Sequence, residues 1–167
     1  MKKIILISLL FLLTGCYDYK EINDLAIISA IGIDYKDGEY VITLEVLNDQ
    51  NDKDSSKIKT YTKTSSDKSL AKALEETADL LSDQANYSHV KLMILGENIV
   101  DGRFETIVDY FTRSTYFREN FYVLSSLDTE PKKILENTTD ENPIASTAII
   151  NMLESLNYSS NNSVLKT

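Results

Sequence analysis

The sequence has one cysteine, one histidine, no tryptophan, two prolines and five glycines, and its 17 Lys and Arg are outnumbered by 26 Asp and Glu. Each shortage removes a class of chemistry. A single cysteine rules out an internal disulfide framework and any cysteine-clustered metal site. A single histidine rules out histidine-rich zinc centres. The net charge of −9 leaves no basic surplus to neutralise phosphates, so nucleic acid is excluded as a partner. No glycine-rich phosphate loop and no G-x-S-x-G serine turn is present. Carboxylates such as Glu76 and Asp79 share a helical turn, but on a wet face, and without tryptophan there is no sugar-stacking cleft for glycosidase chemistry. The stretch beginning at Asp52 fails as a calcium loop, because its sixth position is not glycine and its twelfth is Lys63. What remains is 167 residues, 43% apolar and 26% charged, which suits one globular domain.

The positive signal lies at the start. Met1-Lys2-Lys3 is basic and residues 4–13 are apolar apart from Ser8, the n-region and h-region of a secretory signal. The uncharged run 4–15 would measure roughly 18 Å as a helix against about 30 Å of bilayer hydrocarbon, too short to span comfortably. It ends in Leu13-Thr14-Gly15-Cys16, the pattern of a bacterial lipobox. Small residues before the scissile bond admit an extended backbone to the signal peptidase, so Leu13, Thr14 and Gly15 are read as recognition residues. Cys16 is the lipidation site: its thiol takes diacylglycerol, and cleavage leaves its amine free for an N-acyl chain. Two or three acyl chains anchor stably where one does not, at about 0.8 kcal/mol per buried CH₂. No other cofactor is expected. Loss of Lys2 and Lys3 takes the net charge from −9 to −11, so anionic lipid repels the body and the acyl chains must hold it.

Beyond a polar lipid-proximal segment, 16–24, the pattern predicts an α+β domain over 25–156. Residues 25–33 (LAIISAIGI) read as a strand covered on both faces, with Gly32 marking a bulge or a close backbone approach. Asp37-Gly38 signals a hairpin. Residues 39–47 alternate, with Tyr40, Ile42, Leu44 and Val46 on one face and Thr43 and Glu45 on the other, as a half-buried strand would. Lys57, Lys59 and Lys63 share a face of the next strand and protect it as an edge. A helix capped by Ser66 or Asp67 runs to about Asp83, with Leu70, Leu74, Thr77, Ala78 and Leu81 inward. Strands follow at 89–95 and 120–126, separated by a helix capped by Asp101 with Phe104, Ile107, Val108 and Phe111 on its apolar stripe. A short helix at 131–136 precedes a final one capped by Asn142, with Pro143 in its first turn. Its buried face is Ile144, Ala148, Ile149, Met152, Leu153 and Leu156, and 157–167 is a polar tail. A hairpin beside two β-α-β crossovers implies a mixed β-sheet with helices packed on it.

His89 is the one candidate general base near neutral pH, and its neighbour Ser88 the nearest hydroxyl. Adjacent residues of a strand point to opposite faces, so a strand-start histidine bonded to backbone is the expected role.

Several segments together resemble a known family. Residues 15–26 (GCYDYKEINDLA) resemble the opening of the Ger(x)C family, the C-subunit lipoproteins of spore-germination receptors, where the mature start reads approximately C-W-D-x-[RK]-E-[IL]-N-D-L-A. The family's apolar strand ends G-I-D, supplied here by Gly32-Ile33-Asp34. Tyr17 stands where the family usually has tryptophan and keeps an aromatic close to the lipid. Residues 87–97 (YSHVKLMILGE) resemble its S-H strand ending G-E, and residues 118–124 (RENFYVL) its R-x-[DN]-F-Y-V strand. The resemblance spans about 13–156. It implies a non-enzymatic, lipid-anchored subunit on the outer face of the spore inner membrane. Such a subunit assembles with integral-membrane A and B subunits into a receptor that detects small nutrients. Tyr17, Asp18, Lys20, Glu21, Asn23 and Asp24, next to the lipid, are the candidate partner contacts, while Ser88, His89 and Arg118 are expected to support the fold. Members of that family continue into further domains, so the polar tail is read as the end of a truncated or split member.

Two other readings compete. A substrate-capturing lipoprotein serving a transporter needs two lobes around a cleft, for which this length is short. A surface hydrolase would have to rely on His89.

Overall fold

The chain turns back on itself at Asp37 and Gly38, whose φ angles of 52° and 88° are both positive, as the tightest two-residue hairpin turn requires. The structure, a computed structural model, describes residues 25–48, 58–100, 102–117 and 120–164. The arms of the hairpin are β1 (Leu25–Lys36) and β2 (Glu39–Asn48), and Tyr35 and Tyr40 meet edge-to-face across them at 5.1 Å. The Arg103 guanidinium lies over the Tyr35 ring at 3.6 Å.

Next come β3 (Lys59–Asp67), α1 (Leu70–Asp79), β4 (Gln84–Asn86) and a single 3-10 turn (Tyr87–His89). They are followed by β5 (Leu92–Leu95), α2 (Glu97–Val100), α3 (Phe104–Arg113), β6 (Tyr122–Ser125), α4 (Pro131–Glu136) and α5 (Ala145–Val164). The sheet order is β3-β2-β1-β5-β6, with β4 paired to the start of β1. β1–β2 and β2–β3 are antiparallel, whereas β4, β5 and β6 join in parallel. This is the mixed α+β sheet the patterning predicts, with β3 at an edge as its lysines require. Among the described residues no helix is long and apolar enough to cross a membrane.

Both faces of the sheet are covered. Ile28, Ile31, Ile33, Ile42, Leu44 and Met93 pack under α1 and α3 through Leu74, Ile107 and Phe111. On the other face Ala30, Leu92 and Ile94 pack against Leu135 of α4, with Ile149 and Ile150 of α5 beside them. This second layer corrects the reading of β2 as half-buried: Thr43 and Glu45, on the face assigned to solvent, are 2% and 0% exposed. Burial is tolerated because both are partnered. Thr43 Oγ1 lies 3.1 Å from Thr64 Oγ1. Glu45 accepts from the Ser29 hydroxyl at 2.8 Å and from the amides of Ala145 at 2.8 Å and Ser146 at 3.3 Å. A buried side chain of β2 thus satisfies the free amides at the start of α5.

The β1 bulge falls at Ser29, between the Ile28–Val46 and Ala30–Glu45 pairs, and not at Gly32. The extra residue keeps Ile28, Ile31 and Ile33 on one face and brings the Ser29 hydroxyl to Glu45. Gly32 pairs regularly with Thr43, and its role is close approach: a Cβ there would stand 2.9 Å from Pro131 Cβ.

Helix boundaries differ from expectation for identifiable reasons. Ser66 and Asp67 stay in β3, paired with Val41 and Tyr40, so α1 begins at Leu70. The Asp67 carboxylate accepts from the Ser69 amide and from Lys72, which together hold it below the usual carboxylate range. α1 stops at Asp79 because residues 84–86 leave to pair with β1, and its inward face includes Ala73. The expected strand at 89–95 is confined to β5, with His89 in the 3-10 turn, and that at 120–126 to β6. Asp101 and Lys57 lie outside the described residues. In α3 only Ile107 and Phe111 of the expected stripe are buried, while Phe104 and Val108 are exposed. α5 starts after Asn142 and Pro143, with Ile144 accepting from the Ala148 amide, because Glu45 provides the cap. It continues to Val164 through residues expected to be a polar tail, and Met152 and Leu156 are exposed where burial was expected. The side chains of α5 that pack on this face are Ile149 and Ile150.

Two substitutions test this account by urea unfolding. Glu45→Ala strands the two buried amides of Ala145 and Ser146 and is expected to cost about 2–4 kcal/mol, whereas Glu45→Gln keeps one acceptor and costs less. Gly32→Ala forces α4 off β1 and is expected to cost about 1–3 kcal/mol.

Candidate functional site

The parallel strands β1, β5 and β6 end at one margin of the sheet, the place where open α/β sheets commonly hold ligands. Segments far apart in sequence meet there. Asp34, near the end of β1, is 8% exposed and packs against Gly96, the residue after β5. A Cβ on Gly96 would collide with Asp34 Oδ1, so the G-I-D and G-E segments fit each other only because position 96 has no side chain. The Gly96 amide donates to the Ile33 carbonyl at 2.7 Å, and the Tyr35 amide donates to Asp34 Oδ1 at 2.8 Å.

Above this floor is a cleft of about 210 Å³, with Lys36, Asn98, Asp128 and Glu130 on its walls. Lys36 pairs with Glu130 at 2.5 Å and lies 3.7 Å from Asp34, and Lys133 stands 3.7 Å from Glu130. The hydrogen bond to Glu130 pushes the Lys36 ammonium up, and the same bond holds the Glu130 carboxyl below its usual range. The Asn98 amide donates to the Tyr35 carbonyl at 3.3 Å. Lys36 and Lys133 thus counter Asp34 and Glu130 within the cleft. The arrangement clasps the end of β1 to the segments after β5 and β6.

The Ser88-His89 pair lies at the other end of β5. Ser88 Oγ donates to Asn86 Oδ1 at 2.7 Å, and the Ser88 amide donates to the same atom at 3.0 Å. Its hydroxyl therefore stabilises the 3-10 turn, and His89 is exposed beside it, so the two form no catalytic dyad. Cys16, Leu13, Thr14, Gly15, Tyr17, Asp18, Lys20, Glu21, Asn23, Asp24 and Arg118 lie outside the described residues.

Two features were not legible in the sequence. Glu45 carried one faint signal, a lone carboxylate between apolar neighbours on a strand. The second is an aromatic chain in which Tyr87 meets Phe117 at 4.9 Å, Phe117 meets Phe111 at 4.6 Å, and Phe111 meets Tyr110 at 5.2 Å. Burial there pushes the Tyr87 phenol up to about 12.

Removing the ammonium in Lys36→Met should let the Glu130 carboxyl rise toward its ordinary range, as an NMR pH titration of that carboxyl would show. The depressed value means that Glu130 contributes stability above the ordinary carboxylate range and loses it as pH falls through the folded value. The pair is exposed and solvent screens it, so global stability should change little.

Known proteins share this architecture's sequence. Spore germination protein KC of Bacillus subtilis (strain 168) is 25% identical over 162 residues, covering 90% of this chain and 39% of that protein. Spore germination protein B3 of the same organism is 24% identical over 160 residues, covering 92% and 42% respectively. The chain therefore spans about two fifths of the length of these curated relatives. No solved structure matches it. The family described as the spore germination protein N-terminal domain matches residues 18–166, and the chain belongs to that family.

Proposed function

We propose that this chain is a lipid-anchored subunit of a spore nutrient-germinant receptor, acting in receptor assembly and germination signalling without catalysis. One observation carries the reading: a lipobox ending in the chain's only cysteine, Cys16, stands directly before a domain of the spore germination family. Diacylglycerol on Cys16, with or without an N-acyl chain, tethers the acidic domain to the outer face of the spore inner membrane. The segment 17–24 then lies at the bilayer surface, where Tyr17, Asp18, Lys20, Glu21, Asn23 and Asp24 meet the integral-membrane A and B subunits. The absence of catalysis is supported by the engagement of Ser88 with Asn86 and by the paired charges of the carboxyl-end cleft.

Cys16→Ala tests the proposal. The variant should lose its lipid by mass spectrometry, keep its leader, and weaken the germination response to nutrient while leaving nutrient-independent germination intact. A wild-type chain with a bare Cys16, or a full nutrient response from the unlipidated variant, would overturn it. Within the lipid-proximal segment, Asp18→Ala combined with Glu21→Ala should lower recovery of the A and B subunits with the protein while lipidation is unchanged.

A further inference from the structure

The two edges of the sheet are finished differently. At the β3 edge, Lys59 and Lys63 sit on one face, and on the other Thr60 and Thr62 donate to Pro143 of the loop and Glu136 of α4, at 3.0 and 3.1 Å. β6, at the opposite edge, reads Tyr122-Val123-Leu124-Ser125 and carries no charge. The Tyr122 and Ser126 amides donate to Lys91 and Leu95 at 2.8 Å. Alternation along a strand therefore aims the N–H and C=O of Val123 and Ser125 away from β5, and among the described residues no strand takes them up.

The sides of that edge are apolar as well. Beside α3 a cleft of about 120 Å³ has Phe104, Val108 and Val123 at its mouth, each more than 40% exposed, over Met93 and Leu95. On the opposite face Tyr122 is 40% exposed and its Oη donates to Glu154 of α5 at 3.4 Å. Glu154 is exposed beside Tyr122, and Arg113 at the end of α3 is paired with Asp109. An exposed carboxylate at this edge of a chain of net charge −9 disfavours a second copy and favours a basic partner.

We infer that β6 accepts an added strand from a partner protein: an extended segment of about four to six residues, apolar on both faces and flanked by Lys or Arg. Its main chain bonds to Val123 and Ser125, and its side chains enter the α3 cleft on one face and meet Tyr122 on the other. This surface is distinct from the lipid-proximal segment and functions whether or not Cys16 is acylated.

The test titrates the full chain in detergent with a fluorescent peptide, Lys-Lys-Val-Ile-Val-Ile-Lys-Lys. Saturable binding is expected, about tenfold weaker when glutamates replace the terminal lysines. Ser125→Pro deletes an outward amide without touching the β5 ladder and should weaken binding by at least about tenfold. Val123→Lys, which changes one exposed side chain, should do the same, with circular dichroism confirming that both variants are folded. Failure of the lysine-ended peptide to bind, equal binding of both peptides, or unchanged binding by both variants would overturn the inference. So would a dimer in sedimentation that Ser125→Pro abolishes, since a second copy would then be the occupant.

Discussion

A buried carboxylate met by a hydroxyl and two helix amides holds this fold's two layers in order. Glu45 projects from the middle of β2 into the space between the sheet and α5, and its oxygens are met by the Ser29 hydroxyl and the first amides of that helix. Helix amides at an N-terminus carry partial positive charge and lack intrahelical acceptors, so an acidic side chain is the natural complement. Burying such a group without partners is costly, and that cost is what gives the contact its directional force. α5 can begin in one place only. From there it crosses Ala30, Leu92 and Ile94 toward β6, and the second face of the sheet closes.

The β1 bulge belongs to the same arrangement. One unpaired residue at Ser29 lets the isoleucines on either side stay under α1 and α3 while a hydroxyl turns toward Glu45. Further along β1, Gly32 admits α4 and Asp34 packs on Gly96. A single strand therefore specifies its contacts with β2, α4, α5 and the end of β5 through small or polar residues. Its isoleucines supply most of its buried apolar surface, which is the larger but less directional term.

This architecture suits a protein that works by contact. The germination-family segments around residues 25–34, 87–97 and 120–124 become the three parallel strands, and their glycines and polar residues are used in fitting those strands together. In the carboxyl-end cleft Lys36 and Lys133 pair with Glu130. Exposed apolar side chains gather at the β6 edge, at Phe104, Val108 and Val123.

Local chemistry made much of this legible. The Asp37-Gly38 turn, the two-sided burial of β1, the lysine-marked edge at β3 and the short α4 beginning at Pro131 each follow from residues close together in the chain. The family-like segments are also properties of contiguous sequence, which is why membership of the germination family could be read from the chain itself. Tertiary structure alone decided that Glu45 is buried, that Ser29 bulges, that Ser66 and Asp67 remain in a strand, and that Met152 and Leu156 face outward. The Ser29–Glu45 and Ala145–Glu45 contacts join residues 16 and 100 positions apart, and alternation or helical period states which side chains share a face without stating what covers it.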